Sequence, residues 1–275
     1  MNIRKLKKKC IEMKNIIKRE GNSMLIYKYT PHNKCHKYDI IKHKELWFAN
    51  IDSLNDPLDS NLTYRQKYNP DEIKEYWENF IADKPAFKSL DEVLSKWGDN
   101  ESFTREQPRI FEYIKSKIGV LCMSKTPKNI LMWAHYANRH QGIVYGFDAD
   151  LFGFSKTNNL TDFPYIINYP CDRKYEILSY TKDRQERIEQ FKKSLTTKAI
   201  DWAYEEEVRF IDLKKSSFAR KFNPNCLKSI IFGVKTPNDE IETMIDCCKK
   251  NNLNHIEFYK AKFVAGRFEL ELNKI

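Results

Sequence analysis

The order of strand-like and helix-like segments after Gly119 constrains the fold most. Short segments rich in β-branched and aromatic residues favour strands at 119–124, 142–148, 163–169, 206–212, 227–234, 255–261 and 267–273. Helical patterns at 129–139, 181–200 and 238–250 lie among them without a strict strand–helix alternation. The sequence therefore predicts an α+β fold with mixed or antiparallel sheets and flanking helices, and not a doubly wound fold.

The first half of the chain adds two strands and a helical insertion. Strand patterns cover residues 24–30 and 45–50, and a short helix is expected at 34–44. From about residue 70 to 118 the sequence is charged and helical, with Tyr76, Trp77, Phe80 and Ile81 as its buried stripe. We therefore expect one α+β domain over residues 24–275, with an inserted helical cap at about 70–118.

The sequence predicts that residues 1–23 are a basic amino-terminal arm that forms an amphipathic helix. They carry eight basic and two acidic residues, which is more than half of the net charge of +10. Such a helix can contact nucleic acid or anionic lipid. The alternatives are a solvated arm and a natural start at Met24. The rest of the chain is only mildly basic, so composition does not require a nucleic-acid-binding body.

Composition indicates a cytoplasmic protein without a membrane span. No apolar run approaches the roughly 20 residues that cross a bilayer, and the amino terminus lacks a signal-peptide core. The seven cysteines are odd in number and include no C-x-x-C pair. Neither a disulfide framework nor a zinc site is indicated, and no metal is expected.

Two polar clusters follow strand ends. In the first, the turn Asn55-Asp56-Pro57 presents Asn55, Asp56 and Asp59, which form either a site or simple turn chemistry. In the second, Ser124 and Thr126 end a strand and a helix follows. On that helix Met132, His135, Tyr136 and Arg139 share one face, which favours a pocket wall over a lone structural histidine.

The third cluster is Trp202-Ala-Tyr-Glu-Glu-Glu-Val-Arg209. In an extended chain Glu205, Glu207 and Arg209 project to one face, where the guanidinium keeps the carboxyls ionised. The alternative is a stabilising ion pair at a strand edge.

Taken together, these stretches resemble a bacterial family of domains of unknown function. The resemblance runs from about Leu25 to Phe268 and rests on a series of motifs. They are Tyr27-Lys28-Tyr29, Asn55-Asp56-Pro57, Ser124-Lys125-Thr126, the Leu-Met-Trp-Ala-His-Tyr-Ala stretch at 131–137, and the third cluster. The family itself implies no reaction.

A fainter resemblance is to the ADP-ribosyltransferases, which cleave the nicotinamide–ribose bond of NAD. Their pattern places a basic residue on the first strand, then Ser-x-Ser/Thr, then Glu-x-Glu; here Lys28, Ser124/Thr126 and Glu205/Glu207 follow that order. The family generally has Arg or His where this chain has Lys28. The resemblance implies an ADP-ribosyltransferase-like fold and a common set of roles. Glu207 would hold the ribose, Glu205 the acceptor, Tyr29 and Tyr136 the nicotinamide, and Arg209 or Arg139 the pyrophosphate.

Three functions follow as hypotheses. The first is an NAD-consuming enzyme, a transferase or glycohydrolase, that acts as a toxin or anti-phage effector, with NAD as substrate and a protein or nucleic acid as acceptor. The second is a metal-dependent nucleic-acid or nucleotide hydrolase that uses Asp56, Asp59, His135 and the glutamates. The third is a non-catalytic nucleotide- or peptide-binding module.

Overall fold

The computed structural model describes residues 24–31, 38–60, 63–82, 89–152, 164–179 and 183–275. The predicted arm at residues 1–23 lies outside them. So do parts of the segments predicted at 34–44, 163–169 and 181–200.

Short strands and helices are interspersed along the described chain. The strands are β1 (Leu25–Thr30), β2 (Glu45–Asn50), β3 (Thr63–Tyr64), β4 (Gly119–Ser124), β5 (Ile143–Asp148), β6 (Tyr165–Ile166), β7 (Ile177–Leu178), β8 (Glu207–Asp212), β9 (Phe218–Lys221), β10 (Leu227–Phe232), β11 (Glu257–Phe263) and β12 (Leu270–Lys274). The α-helices are α1 (Asp39–His43), α2 (Pro70–Ala82), α3 (Leu90–Trp97), α4 (Asn100–Lys117), α5 (Ile130–Tyr136), α6 (Arg184–Leu195) and α7 (Asn238–Lys250).

The chain folds into two compact units, each built from separate stretches of sequence. The first comprises Met1–Ala49, Gly119–Ile167 and Asp201–Ile275; the second comprises Asn50–Ile118 and Asn168–Ile200. Most of the predicted site residues belong to the first unit, whereas Asn55 and Asp56 belong to the second.

A mixed sheet forms the frame of the first unit. Its strands follow the order β12-β11-β10-β5-β1-β4-β2-β9, with β8 added to β4 and β6 to β8. β10 and β11 are parallel, while β1, β4, β5 and β8 pair antiparallel. The predicted α+β class with a mixed sheet and flanking helices is therefore confirmed.

Successive side chains of each strand point to opposite faces of the sheet, and both faces are buried. One face holds the larger hydrophobic cluster, in which Ile26, Tyr145 and Phe210 pack with Met244 of α7. The other face holds Tyr29 and Val144 under Trp133 of α5. Fully burying one such aromatic or aliphatic side chain stabilises the fold by about 1.5–3 kcal/mol.

The second unit contains the helices that the sequence predicted between about residues 70 and 118. Ile73, Trp77 and Val93 form its core with Tyr68 and Phe103. The side chains of Ser89 and Asp99 cap α3 and α4 by accepting hydrogen bonds from backbone amides, which explains where these helices begin. In the same unit β3 pairs parallel with β7, and α6 follows.

Two helix boundaries differ from the sequence prediction. α5 ends at Tyr136 and not at Arg139, because residues 138–140 adopt left-handed backbone angles (φ 45, 55 and 70°) that cannot continue a right-handed helix. α6 ends at Leu195, and Lys198 then lies in an irregular segment. Within the described residues, no helix combines the length and the apolar character that a membrane crossing needs.

Candidate functional site

The chain changes direction between the two predicted catalytic glutamates. Glu205 is the last residue of a 3-10 helix (Ile200–Glu205), Glu206 has a left-handed φ of 44°, and β8 begins at Glu207. Lys125 N fixes this bend by donating to Glu206 O at 3.1 Å. The expectation that Glu205 lies on the strand with Glu207 and Arg209 is therefore wrong: only the last two share a strand face.

Glu207 and Arg209 form a buried, bidentate ion pair. Arg209 Nε donates to Glu207 Oε1 at 2.7 Å, and the Nη2 atom donates to Oε2 at 2.9 Å. Their side chains are 3% and 0% exposed. Parallel hydrogen bonds of this kind fix both groups in the plane of the fork, so Glu207 is held rigidly as a carboxylate. The sequence suggested Arg209 as a group that binds a pyrophosphate, but its guanidinium is buried and paired with Glu207.

Glu205 is buried beside α5. The Tyr136 hydroxyl donates a hydrogen bond to Glu205 Oε1 at 2.6 Å, and only 4% of Glu205 is exposed. Asn129 joins the same segments, because its amide donates to Tyr204 O at 2.9 Å while its Oδ1 caps α5. Tyr136, the last residue of α5, therefore contacts Glu205 directly. Asn129, at the start of α5, bonds the backbone of the residue before Glu205.

Strand register places three side chains in one row. Tyr27 of β1 lies directly opposite Ser124 of β4, and Ser124 lies opposite Glu207 of β8. Directly opposed residues point to the same face of a sheet. On the other side of Tyr27 lies Gly146, where an added Cβ would come within 3.1 Å of the Tyr27 ring and 2.3 Å of Ser229 Oγ. The glycine thus leaves room for the Tyr27 ring at the end of the row.

Lys28 leaves β1 on the opposite face of the sheet from Tyr27. Its partner in β5 is Tyr145, which packs in the larger hydrophobic cluster. The Lys28 ammonium donates to Cys122 O at 3.0 Å. Burial lowers the pKa of Lys28, and nearby Cys122 and Glu207 partly oppose that shift. The first-strand residue level with Ser124 and Glu207 is therefore Tyr27, one position from the residue that the sequence suggested.

Tyr29 and Thr126 contribute to packing around this row. The Tyr29 hydroxyl donates to Thr126 O at 2.9 Å, and its ring meets Trp133 edge-on at 5.5 Å. Burial raises the pKa of Tyr29, which keeps the hydroxyl protonated as a donor. The Ser124 hydroxyl turns back onto its own strand end and bonds Thr126 at 3.2 Å. Tyr29 is a core side chain here and does not offer an open ring face.

The residues predicted to share a helix face with His135 differ in their burial. Met132 packs in the core, whereas His135 is exposed, with its ring centroid 6.3 Å from those of Tyr136 and Tyr204. Arg139 follows the end of α5 in a left-handed conformation and is exposed. His135 therefore lies at the outer edge of the Tyr136–Glu205 contact, and Arg139 is not part of the helical face.

The predicted turn residues of the second unit have structural partners of their own. Asp56 Oδ1 accepts a hydrogen bond from Leu58 N at 2.9 Å, as in an Asx turn, and Asn55 precedes it. Asp59 pairs with Lys198 at 3.3 Å, and both side chains are buried. The sequence does not predict this role of Lys198, because the predicted helix 181–200 includes that residue.

No group of three or more His, Cys, Asp or Glu side chains in residues 24–31, 38–60, 63–82, 89–152, 164–179 and 183–275 has an arrangement that could hold a metal ion.

One comparison concerns the segment that carries most of the site. Residues 132–210 match the family described as Protein of unknown function (DUF2971). The expected resemblance to a family of unknown function is thereby confirmed over this segment, which includes Tyr136, Glu205, Glu207 and Arg209. No curated protein and no solved structure matches the chain.

Proposed function

We propose that this chain is an NAD-consuming enzyme, an ADP-ribosyltransferase or NAD glycohydrolase. The observation that carries the proposal is the row Tyr27–Ser124–Glu207 on neighbouring strands of one sheet face. The resemblance to ADP-ribosyltransferases implies a first-strand residue, a serine and a glutamate in this order. In the proposal Tyr27 takes the place for which the sequence suggested Lys28.

The chemistry of the bond to be broken fits a fixed carboxylate. When the nicotinamide–ribose bond breaks, nicotinamide leaves with the electron pair and positive charge develops on the ribose. Glu207, held ionised by Arg209, stabilises that charge and accepts a hydrogen bond from a ribose hydroxyl, since each carboxylate oxygen can accept more than one hydrogen bond. Water or an acceptor hydroxyl then attacks the anomeric carbon and loses its proton to Glu205.

Access to the glutamates requires a side chain to move. Glu205 and Glu207 are 4% and 3% exposed, whereas Tyr136 is half-buried at the outer edge of the site. In the proposal, substrate binding rotates Tyr136 away from Glu205, so that its ring can cover the nicotinamide and its hydroxyl no longer occupies Oε1. Rotations of half-exposed side chains are fast compared with catalysis.

The proposed setting follows from the proposed reaction. The chain would act in the cytoplasm on a nucleotide and transfer ADP-ribose to water, a protein or a nucleic acid. Consumption of NAD or modification of an essential acceptor would make it a toxin or an anti-phage effector.

The second candidate function is a non-catalytic nucleotide- or peptide-binding module. The enclosed Glu207–Arg209 pair favours it, because a carboxylate whose two oxygens both accept hydrogen bonds can also serve only to fix the strand. The two candidates differ in whether NAD is consumed.

The deciding experiment measures nicotinamide release. Purified protein is incubated with NAD, alone and with candidate acceptors, and free nicotinamide is quantified. We expect release by the wild type and a fall of about 10²-fold or more in Glu207→Gln, since removing one preorganised electrostatic group costs roughly that much. Glu206→Gln is the matched control: Glu206 lies between the two glutamates but is exposed, and it should retain wild-type activity.

Two further variants separate loss of chemistry from loss of fold. Glu207→Gln leaves the Arg209 charge buried, so Glu205→Gln, with intact Glu207–Arg209, is assayed beside it and both are checked by circular dichroism. Tyr136→Phe should change the pH profile of the reaction, because it removes the hydrogen bond to Glu205. Absence of nicotinamide release from folded wild type with every acceptor, together with saturable nucleotide binding, would replace the enzyme by the binding module.

A further inference from the structure

Two exposed phenylalanines mark the hairpin between β11 and β12. Phe263, the last residue of β11, is 55% exposed, and Phe268 in the connecting turn is 95% exposed. Hydrogen bonds from Val264 N to Glu269 O (3.1 Å) and from Arg267 N to Val264 O (3.2 Å) close this turn. The two rings are therefore held outside the core by a defined backbone, and clustered exposed aromatics are typical of binding surfaces.

A series of aromatic rings leads from the core to this hairpin. Trp133 is fully buried, and the His140 ring lies parallel to it, with a centroid distance of 6.3 Å and an interplanar angle of 11°. The Phe263 ring follows at 5.5 Å from His140 and is tilted by 59° to it. A further planar ring can thus continue the series at its exposed end.

His140 takes part in this series as a neutral ring. Burial lowers its pKa, and the positive charge of Lys235 lowers it further. Lys235 is held close because its backbone amide donates to His140 O at 2.9 Å. At neutral pH the imidazole therefore offers an uncharged aromatic face next to a separate cation.

Two exposed cations, Arg139 and Lys235, neighbour His140. The stretch from Lys260 to Phe268 contains no Asp or Glu. The left-handed conformation of residues 138–140 brings Arg139 out of α5 and next to His140. Arg267 also contributes charge, although it pairs with exposed Glu269 at 3.5 Å. The hairpin surface, defined as Arg139, His140, Lys235, Phe263 and Phe268, thus combines stacking groups with phosphate-binding groups.

We infer that the hairpin surface binds single-stranded nucleic acid. Bases stack on Phe263 and Phe268, and the backbone phosphates contact Arg139 and Lys235, which is how proteins hold single strands without reading sequence. An anionic membrane fits less well, because the Arg267–Glu269 pair would enter the hydrocarbon with Phe268. The inference does not depend on the proposed function.

The test measures binding of fluorescein-labelled (U)20 and (dT)20 by fluorescence anisotropy with the full chain. We expect saturable binding by the wild type and an affinity loss of about 10-fold in Phe268→Ala, since one stacked base contributes on the order of 5- to 150-fold. The matched control is Tyr113→Ala, because Tyr113 is an aromatic residue of α4 with 66% exposure. It should bind as the wild type does.

A second pair of variants tests the cations. Arg139→Gln with Lys235→Gln should reduce the slope of log affinity against log salt by about 1.4, since each phosphate contact on a single strand contributes about 0.7. Lys249→Gln with Lys250→Gln, which removes two exposed cations of α7, should leave the slope unchanged. The basic residues 1–23 are present in every variant, so their contribution cancels.

Several outcomes would overturn the inference. These are absence of saturable binding by the wild type, or binding that neither Phe268→Ala nor the Arg139/Lys235 pair weakens. Binding to phosphatidylserine vesicles that Phe268→Ala abolishes, in the absence of oligonucleotide binding, would reassign the surface to a membrane.

Discussion

Each unit contains a buried ion pair. The carboxylates of both pairs, Glu207 and Asp59, belong to polar stretches that look alike in the sequence. Glu207 and Arg209 are two residues apart on β8 and form a bidentate pair at 2.7 and 2.9 Å. Asp59 and Lys198 are far apart in sequence and join two segments of the second unit, with Lys198 Nζ 3.3 Å from Asp59 Oδ2. The first pair fixes side chains on a strand face, whereas the second closes a long loop of the chain.

The difference shows how a carboxylate's neighbours determine what it can do. Glu207 lies in a row with Ser124 and Tyr27 and near the buried Glu205, so its fixed charge stands next to other chemically useful groups. The Asp59 carboxylate is bonded by Lys198 and by the Ser60 hydroxyl at 3.1 Å, in a turn that Asp56 also stabilises. The cluster around Asp59 is therefore explained by structure alone, while the cluster around Glu207 is both structural and a candidate for chemistry.

The largest expected effect is that of Arg209→Met. It leaves the Glu207 carboxylate buried without its guanidinium, which should lower the free energy of unfolding by about 3–5 kcal/mol. Urea denaturation measures the change. Arg267→Met is the matched control, because Arg267 and Glu269 have the same two-residue spacing but are exposed, and such pairs contribute only about 0–1 kcal/mol. Equal effects of the two substitutions would contradict the role assigned to burial.

The next largest effect is expected for Lys198→Met. Asp59 without its cation should destabilise the second unit, at the lower end of the range of about 3–5 kcal/mol for a broken buried pair, because a lysine ammonium lacks the bidentate fork of an arginine. Hydrogen exchange should show lost protection in residues 50–118 and 168–200. The double variant Asp59→Leu/Lys198→Met should recover most of the stability, since an apolar pair leaves no buried charge. If the double variant is as unstable as the single one, the ion pair is not the cause.

A smaller, pH-dependent effect is expected at Lys28. Burial lowers its pKa in the folded state below the ordinary value of 10.5, so the unfolded chain binds more protons between the two pKa values. The contribution of Lys28 to the free energy of unfolding is therefore reduced at neutral pH, and it rises as the pH increases towards 10.5. In Lys28→Met this rise should be absent when unfolding is measured at pH 7, 8.5 and 10 beside the wild type. A parallel pH dependence in both proteins would show that Lys28 is not buried as described.

Some of the site could be predicted from the sequence because it depends on local pattern. The predicted bounds of β4 match those observed, and those of β8 differ by one residue, since short runs of β-branched and apolar residues and a strand-ending Ser124 are local features. β9 was missed because Phe-Ala-Arg-Lys has no apolar alternation, and its strand state depends on pairing with β2. The one-residue difference between Lys28 and Tyr27 has the same origin: register decides which neighbour points towards Glu207, and register is set by the partner strands.

The amino-acid sequence by itself determined the α+β class, the helices of residues 70–118 and the polar clusters, because periodicity and turn chemistry act over a few residues. Only the tertiary structure decided that Glu205 leaves the strand at a left-handed Glu206, that Tyr136 reaches it, and that Asp59 belongs to Lys198. These contacts join residues distant along the chain, and their energies depend on burial and on the geometry that the packed sheet imposes.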